Sequence, residues 1–421
     1  MIPFKFVHAA DLHLDSAFQG IACTDERVAG LLRESTFGAF ERTLDLCLER
    51  GAEFLLIAGD VYNSEDRSLR AQVRFRDGLK LLSDCGVSTF VVHGNHDPLD
   101  GWSAVLRWPE RVHIFGGQGV ESVQVEKEGK RIARIHGISY PTREVRSNLA
   151  REFRREDRQC FDIALLHCNL GGNPDHEPYA PCTEDDLVSA DMNYWALGHQ
   201  HTREVVSPEK PAIVYPGTSQ GCSIKEPGAH GCYLVEVGAD GHPSLTFVAV
   251  DTVRWFYETL PAEGIGDEGE LVERADDLCR SLGERAEGRP VVCRIRLTGR
   301  GALHRLLSDP AFVEDLLRTV RDRQGGSDPS VWVEAIESST SSPVDLDGRR
   351  DGQDFLGSLL RLADEYRESP ELLDSLGREL APLFQSRLGR TYLEPLTADE
   401  IKACLSAAET RCADMLAGDE D

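Results

Sequence analysis

Residues 54–60 read FLLIAGD, and residues 88–97 read STFVVHGNHD. Each is an apolar run that stops at a glycine and then at side chains able to hold a metal. A short run with no polar break is the pattern of a strand buried on both faces, as in the parallel sheets of α/β folds. Such sheets place their ligands just beyond the carboxyl ends of their strands. Asp60, Asn95, His96 and Asp97 therefore stand where chemistry is expected before any motif is considered.

The same rhythm extends outward. Residues 4–9 read as a strand, and 34–50 as a helix with Phe37, Phe40, Leu44 and Leu48 on its apolar face. Residues 69–84 read as a second helix, and 132–136, 163–167 and 194–197 as further strands. Residues 1–250 are thus expected to form one α/β domain. From Val253 the pattern restarts with a strand to Leu260, a helix over 268–282, a strand over 291–297, a helix over 302–323 and a strand over 330–336. This predicts a small α/β domain over 251–337. Residues 338–352, SSTSSPVDLDGRRDG, have the composition of an exposed linker. Over 353–421 amphipathic helices are expected, because Phe355, Leu359, Leu362 and Tyr366 share one helical face, as do Leu372, Leu376, Leu380 and Leu383. Those stripes either pack on the chain's own domains or dock a partner; the pattern alone leaves both open.

With 421 residues and 41% hydrophobic content the chain has enough apolar material for two or three domains. The opening MIPFKFVHAA lacks a basic segment followed by an apolar one, so no leader is expected. No stretch approaches the roughly 20 apolar residues of a membrane span. The twelve cysteines form no C-x-x-C pair, and Cys47, Cys85, Cys168 and Cys232 lie in apolar contexts. Reduced thiols and a cytoplasmic location are expected, rather than a disulfide or zinc framework. A net charge of −26 repels polyanions at long range, so any nucleic-acid binding would rest on local basic patches or on metals.

Asp11 and His13 follow the first strand at i and i+2, where a carboxylate and an imidazole can converge on one ion. Asp60, after Gly59, offers two oxygens that could bridge a pair of cations. Asn95 supplies a neutral amide oxygen, His96 an imidazole, and Asp97 a carboxylate able to orient that imidazole. His167 closes FDIALLH, and His199 and His201 close WALGHQH. A lone histidine is more often structural, and His8, His93, His113, His136, His176, His230, His242 and His304 take that reading. Eight metal-competent residues, each just past an apolar run, are harder to explain structurally.

In the order DLH, GD, GNHD, H and GHQH, these motifs resemble the calcineurin-like metallophosphoesterase superfamily. The resemblance implies an α/β fold, a metallophosphoesterase β-sandwich flanked by helices, and a phosphodiester-cleaving site with two divalent cations, Mn2+ foremost. It assigns Asp11, His13 and His201 to one cation and Asn95, His167 and His199 to the other. Asp60 would bridge them, and His96, supported by Asp97, would serve catalysis. FVHAADLHLDSAF, EFLLIAGDVYN and YPGTSQG are similar to the double-strand-break-repair nuclease branch, of SbcD type, with the opening nearest to its YhaO-type bacterial members. That closer likeness implies a DNA exonuclease, a capping domain after the catalytic one, and C-terminal helices that grip an SbcC-like coiled-coil ATPase, with a homodimer also open. Some members carry a second histidine three residues after the bridging aspartate, where this chain has Asn63, which puts endonuclease capacity in question. A protein phosphatase would resemble GD-x-x-D-R-G where this chain reads GDVYNSE. A cyclic-nucleotide or other small phosphodiesterase and a non-catalytic DNA-end scaffold remain alternatives. Arg143, Arg146, Arg151, Arg154, Arg155 and Arg158 form a basic cluster, with Glu144, Glu152, Glu156 and Asp157 interleaved. A helix over this stretch would either face phosphates or hold internal ion pairs.

Overall fold

Alternation of apolar runs and amphipathic helices builds the first part of the chain. It forms β1 (Phe4–Ala9), α1 (Glu26–Arg50), β2 (Phe54–Ala58), α2 (Leu69–Asp84), β3 (Ser88–Val92) and β4 (Val112–Ile114). There follow β5 (Glu121–Lys127), β6 (Lys130–Gly137), β7 (Phe161–His167), α3 (Glu184–Ser189) and β8 (Tyr194–Gly198). The last strands of this part are β9 (Glu204–Ser207), β10 (Ala212–Tyr215), β11 (Gly231–Val237) and β12 (Pro243–Ala249). The computed structural model describes residues 1–16, 26–66, 68–102, 104, 106–155, 160–171, 179–326, 329–385 and 395–417. His176, Glu156, Asp157, Arg158 and Leu388 lie outside the described residues.

Two six-stranded sheets result, ordered β12-β11-β1-β2-β3-β4 and β5-β6-β7-β8-β10-β9. β1 to β4 run parallel, as do β6, β7, β8 and β10, and the outer strands join antiparallel. Parallel neighbours need a crossover, which α1 and α2 supply on the first sheet. The period of two along a strand then sorts the side chains. On β2, Phe54, Leu56 and Ala58 enter the core between the sheets, while Leu55 and Ile57 meet the helices. On β7, Phe161, Ile163 and Leu165 enter the same inter-sheet core, and Ala164 and Leu166 face the other side. His167 is next in phase with the inward set, which is why a strand-ending histidine comes to point at the opposite sheet.

The chain divides into two units. One is Met1–Phe256 with Ala286–Val292 and Asp328–Trp332; the other is Tyr257–Arg285 with Cys293–Ser327 and Val333–Asp421. A three-stranded sheet of β13 (Arg254–Pro261), β14 (Val291–Arg300) and β15 (Val331–Ser341) is interleaved with α4 (Glu268–Arg285), α5 (His304–Leu307) and α6 (Pro310–Gln324). The helices α7 (Leu346–Arg350), α8 (Phe355–Glu368), α9 (Pro370–Gln385) and α10 (Ala398–Ala417) complete the described chain.

Several expectations are corrected. The first helix starts at Glu26, well before residue 34. The single helix expected over 302–323 is two, because Pro310 has no N–H and takes a first-turn position, with the Asp309 carboxylate accepting from Ala311 N at 2.9 Å. Residues 338–352 are not simply a linker: β15 runs to Ser341, and Asp345 caps α7 through the Asp347 and Gly348 amides. Polar composition hid both elements, since neither has a continuous apolar face. Among the described residues every cysteine is a free thiol, and no helix is long and apolar enough to cross a membrane.

Phe54 lies in the core between the sheets, with its ring stacked on Phe6 at 5.0 Å and 9° and lying 6.0 Å from Phe4 and 5.9 Å from Phe90. Phe54→Ala should lower stability by about 3–5 kcal/mol, read as a lower midpoint in urea at unchanged slope. A loss under about 1 kcal/mol would show that this core collapses around the cavity.

Candidate metal centre

The ends of β1, β2, β3, β7 and β8 bring the candidate residues together. Asp11 and His13 follow β1, Asp60 follows β2, Asn95 and His96 follow β3, His167 ends β7, and His199 and His201 follow β8. The loops turn sharply: φ is 49° at Asp11, 42° at His13, 50° at Asp60 and 101° at His199. Positive φ costs a non-glycine residue roughly 1–3 kcal/mol and persists only where the surroundings impose it. Here residues 11–14 run beside 59–61, with Asp11 N donating to Gly59 O at 3.1 Å, His13 N to Asp60 O at 3.1 Å and Leu14 N to Val61 O at 2.9 Å.

Three histidines have their ring orientation fixed from behind. His167 Nδ1 donates to Ala58 O at 2.9 Å, so Nε2 faces Asn95 Oδ1 at 3.0 Å and Asp60 Oδ2 at 3.4 Å. His13 Nδ1 donates to Asn63 Oδ1 at 3.2 Å, and His201 Nδ1 donates to Glu226 Oε1 at 2.6 Å. Their Nε2 atoms then face each other at 3.2 Å. His199 Nδ1 lies 3.2 Å from Asn95 Oδ1, while its backbone N–H meets both Asp11 oxygens at 3.1 Å. Two groups of ligand atoms each lie within 4.8 Å of one another: Asp11, His13 and His201, and Asp11, Asp60 and His167.

A calcineurin-like phosphoesterase family model matches residues 4–203, and the middle domain of the metallophosphoesterase YhaO matches residues 255–341. The metallophosphoesterase YhaO of Bacillus subtilis (strain 168) is 34% identical over 404 residues, covering 96% of each chain. The chain belongs to the calcineurin-like metallophosphoesterases. The DNA double-strand break repair protein Mre11 of Aeropyrum pernix is 24% identical over 255 residues, covering 56% of this chain and 58% of that protein. The SbcD component of the nuclease SbcCD of Bacillus subtilis (strain 168) is 25% identical over 258 residues, covering 53% of this chain and 63% of that protein.

Calcineurin-like metallophosphoesterases use a dimetal site, and this donor set fits one. It mixes carboxylate, imidazole and amide oxygen without thiolate, as suits divalent first-row cations. At His13, His167 and His201 the Nδ1 proton is committed outward, leaving Nε2 toward the cluster, the arrangement that metal-bound histidines adopt.

The electrostatics match that arrangement. Burial pushes Asp11 up to about 7, with the Asp60 charge adding to it against the pull of His167 and His201. Burial also opposes the charge on Asp60, but His167, His13 and His96 outweigh it and hold that carboxyl well below its ordinary range. His167 is lowered by burial yet carried to about 9 by Asp60 and Asp11. His201 likewise rises against burial to about 8, through Glu226 and Asp11, while burial takes His13 down to about 4.

His96 is partly exposed, with its N–H donating to Asp60 Oδ1 at 2.9 Å and its ring edge-on to His13 at 5.1 Å. Asp97, expected to orient that ring, does something else. Its Oδ1 accepts from Gly94 N at 2.7 Å, and its Oδ2 accepts from Val61 N at 2.9 Å and lies 3.0 Å from His93 Nδ1. Asp97 thus ties the β2 and β3 loops together. Among the described residues the basic cluster forms no helix face either, since Leu149–Glu152 make a short 3-10 turn. Arg143 pairs with Glu65, Arg151 with Asp186 at 2.8 Å, and Arg155 with the buried Asp162 at 3.0 Å. Glu226 lies outside every strand-ending motif, and Asn63, although it closes GDVYN, gives no sign in the sequence that it meets His13.

A cation bound by His167 would have to displace its Nε2 proton, which Asp60 and Asp11 hold up to about pH 9. Mn2+ affinity should therefore climb from pH 6 toward pH 9, with protons released on binding at pH 7. Calorimetry in two buffers of different ionisation enthalpy measures the release, and a flat affinity over that range would contradict it.

Proposed function

We propose that this chain hydrolyses the phosphodiester bonds of DNA from an end, using two divalent cations, with Mn2+ the first choice. Asp11, His13 and His201 would hold one cation and Asn95, His167 and His199 the other, with Asp60 between them. The observation that carries the reading is the convergence of these seven residues at the ends of five strands of two sheets, with three of the imidazoles turned by fixed outer partners. When bound, such a pair of cations polarises the phosphate and makes water a competent nucleophile near neutral pH.

The chain's own residues supply the rest. Asp60, held anionic among imidazoles, anchors the centre and accepts the His96 N–H. The partly exposed His96 ring, beside His13, would give a proton to the departing oxygen. DNA is favoured over a small diester because Mre11 and the SbcD nuclease component are among the relatives, and because the chain carries a second unit beyond the catalytic one. The same relatives support an SbcC-like ATPase as partner. On the C-terminal helices Phe355, Leu383 and Met415 are exposed at 71%, 60% and 71%, apolar side chains that such a partner would cover.

Wild-type protein and His96→Ala should be assayed on end-labelled double-stranded DNA, with Mn2+ added and withheld, beside bis-p-nitrophenyl phosphate and a cyclic nucleotide. The expected result is Mn2+-dependent shortening from an end, lowered about 10²–10⁴-fold in His96→Ala at unchanged metal content. Cleavage of the small diesters alone would remove DNA as the substrate.

A further inference from the structure

We infer that Glu226 is a positioning residue of the metal centre, whose carboxylate fixes His201 with its proton on Nδ1 so that Nε2 faces the cation shared with Asp11 and His13. The inference rests on the two-cation reading above and adds a residue that the motifs do not contain. His201 Nδ1 and Glu226 Oε1 are 2.6 Å apart, and the Glu226 side chain is 16% exposed. A carboxylate oxygen only accepts, so the ring must donate, and a charged acceptor makes the imidazole a stronger ligand than a neutral one does. His13 leans on the neutral amide of Asn63 and His167 on a backbone carbonyl. Of these three imidazoles, His201 alone has its Nδ1 hydrogen bonded to a carboxylate.

Glu226 is also held rather than merely adjacent. Its Oε2 accepts from Cys222 N at 2.7 Å, its N–H donates to Ser223 O at 3.0 Å, and its carbonyl accepts from His230 Nε2 at 3.1 Å. His230 is fixed in turn by Thr218 Oγ1 at 2.7 Å from its Nδ1. The loop beneath is pinned by Gln220, whose Oε1 accepts from Thr252 N at 2.8 Å and whose Nε2 donates to Val253 O at 2.7 Å. Trp255 Nε1 donates to Gly221 O at 2.8 Å. A surface ion pair would have two mobile partners; here the carboxylate is set by its own loop before His201 meets it.

The test titrates full-length protein with Mn2+ alone, by calorimetry and by the spin-resonance signal of free Mn2+, in wild type, Glu226→Gln and Glu226→Leu. Glu226→Leu should weaken one of two Mn2+ sites about 10–100-fold and leave the other unchanged. Glu226→Gln keeps an oxygen to accept from Nδ1 and should recover part of the loss. Nitrogen-15 NMR of the imidazoles in metal-free protein, above the pH at which His201 gives up its second proton, should show His201 as the Nδ1–H form in wild type and as a mixture in Glu226→Leu. Unchanged affinity at both sites, or an unchanged His201 form, would overturn the inference. So would an equal loss at both sites in both variants with a lowered Tm, which marks a loop needed only for folding. The readout involves no nucleic acid, so a failure to cleave DNA leaves it standing, whereas wild type that takes up fewer than two Mn2+ removes the two-cation reading first.

Discussion

The imidazole of His167 is fully buried between two sheets, with almost no free space around it. A Cβ on Gly59 would lie 2.5 Å from its Nδ1, and a Cβ on Gly94 would lie 2.8 Å from its ring and 2.3 Å from Asp60 Oδ1. A Cβ on Gly198 would lie 1.9 Å from Ala58 O and 3.0 Å from the same Nδ1. No side chain fits at these three positions while the ring stays where it is. Gly-Asp, Gly-Asn-His-Asp and Gly-His-x-His therefore share a leading glycine for one steric reason, which is that the three loops close on a single imidazole from three sides. The ring in turn reaches across from the second sheet to Ala58 O at the end of β2 in the first. One hydrogen bond thus ties the two sheets together at the point where the chemistry is placed.

That closeness has an electrostatic cost, which the cluster offsets internally. Asp11 and Asp60 are both almost fully buried, and two carboxylates without partners would be driven to the neutral form. The imidazoles share the charge unequally. His167 is drawn up by Asp60, His13 is kept neutral by burial, and His201 is drawn up by Glu226. The backbone is held under strain as well, with four ligating positions at positive φ. The aromatic packing of Phe4, Phe6, Phe54 and Phe90 lies further down the same strands and holds the strand ends in place against both costs.

Much of this is legible in the residues. The uninterrupted apolar runs at 54–58 and 163–166 identify strands buried on both faces, and the metal-competent groups follow them directly. Period two places His167 in phase with Phe161, Ile163 and Leu165. The pattern does not reveal what stands behind the ligands. Asp97, next to His96 in the chain, reaches sideways to Val61 and His93, because adjacent residues in a turn point in different directions. Glu226 comes 25 positions after His201 and meets it only because β10 and β11 fold the intervening loop back. Short strands such as β4 and β9 are partly exposed and carry no apolar run, and Arg155 reads as a surface cation although it braces the buried Asp162. In each case the deciding contact is long-range, and local periodicity carries no trace of it.

Charge poses the remaining physical question, because a chain at −26 has to admit a phosphate. At physiological salt the screening length is about 8 Å, so acids scattered over the surface act mainly on the rate of encounter. At the centre the balance is local. The acids there are Asp11, Asp60 and Glu226, and each faces at least one imidazole within reach. Nearby arginines do not tip it far, since Arg143 is paired with Glu65 and Arg151 with Asp186. Among the described residues, positive charge for an anionic substrate would then come from what the candidate ligands hold. Two divalent cations would bring four charges against at most three negative ones on Asp11, Asp60 and Glu226, which would leave the strand ends net positive. The same residues that would bind cations would thereby decide whether this acidic protein can receive a phosphoester at all.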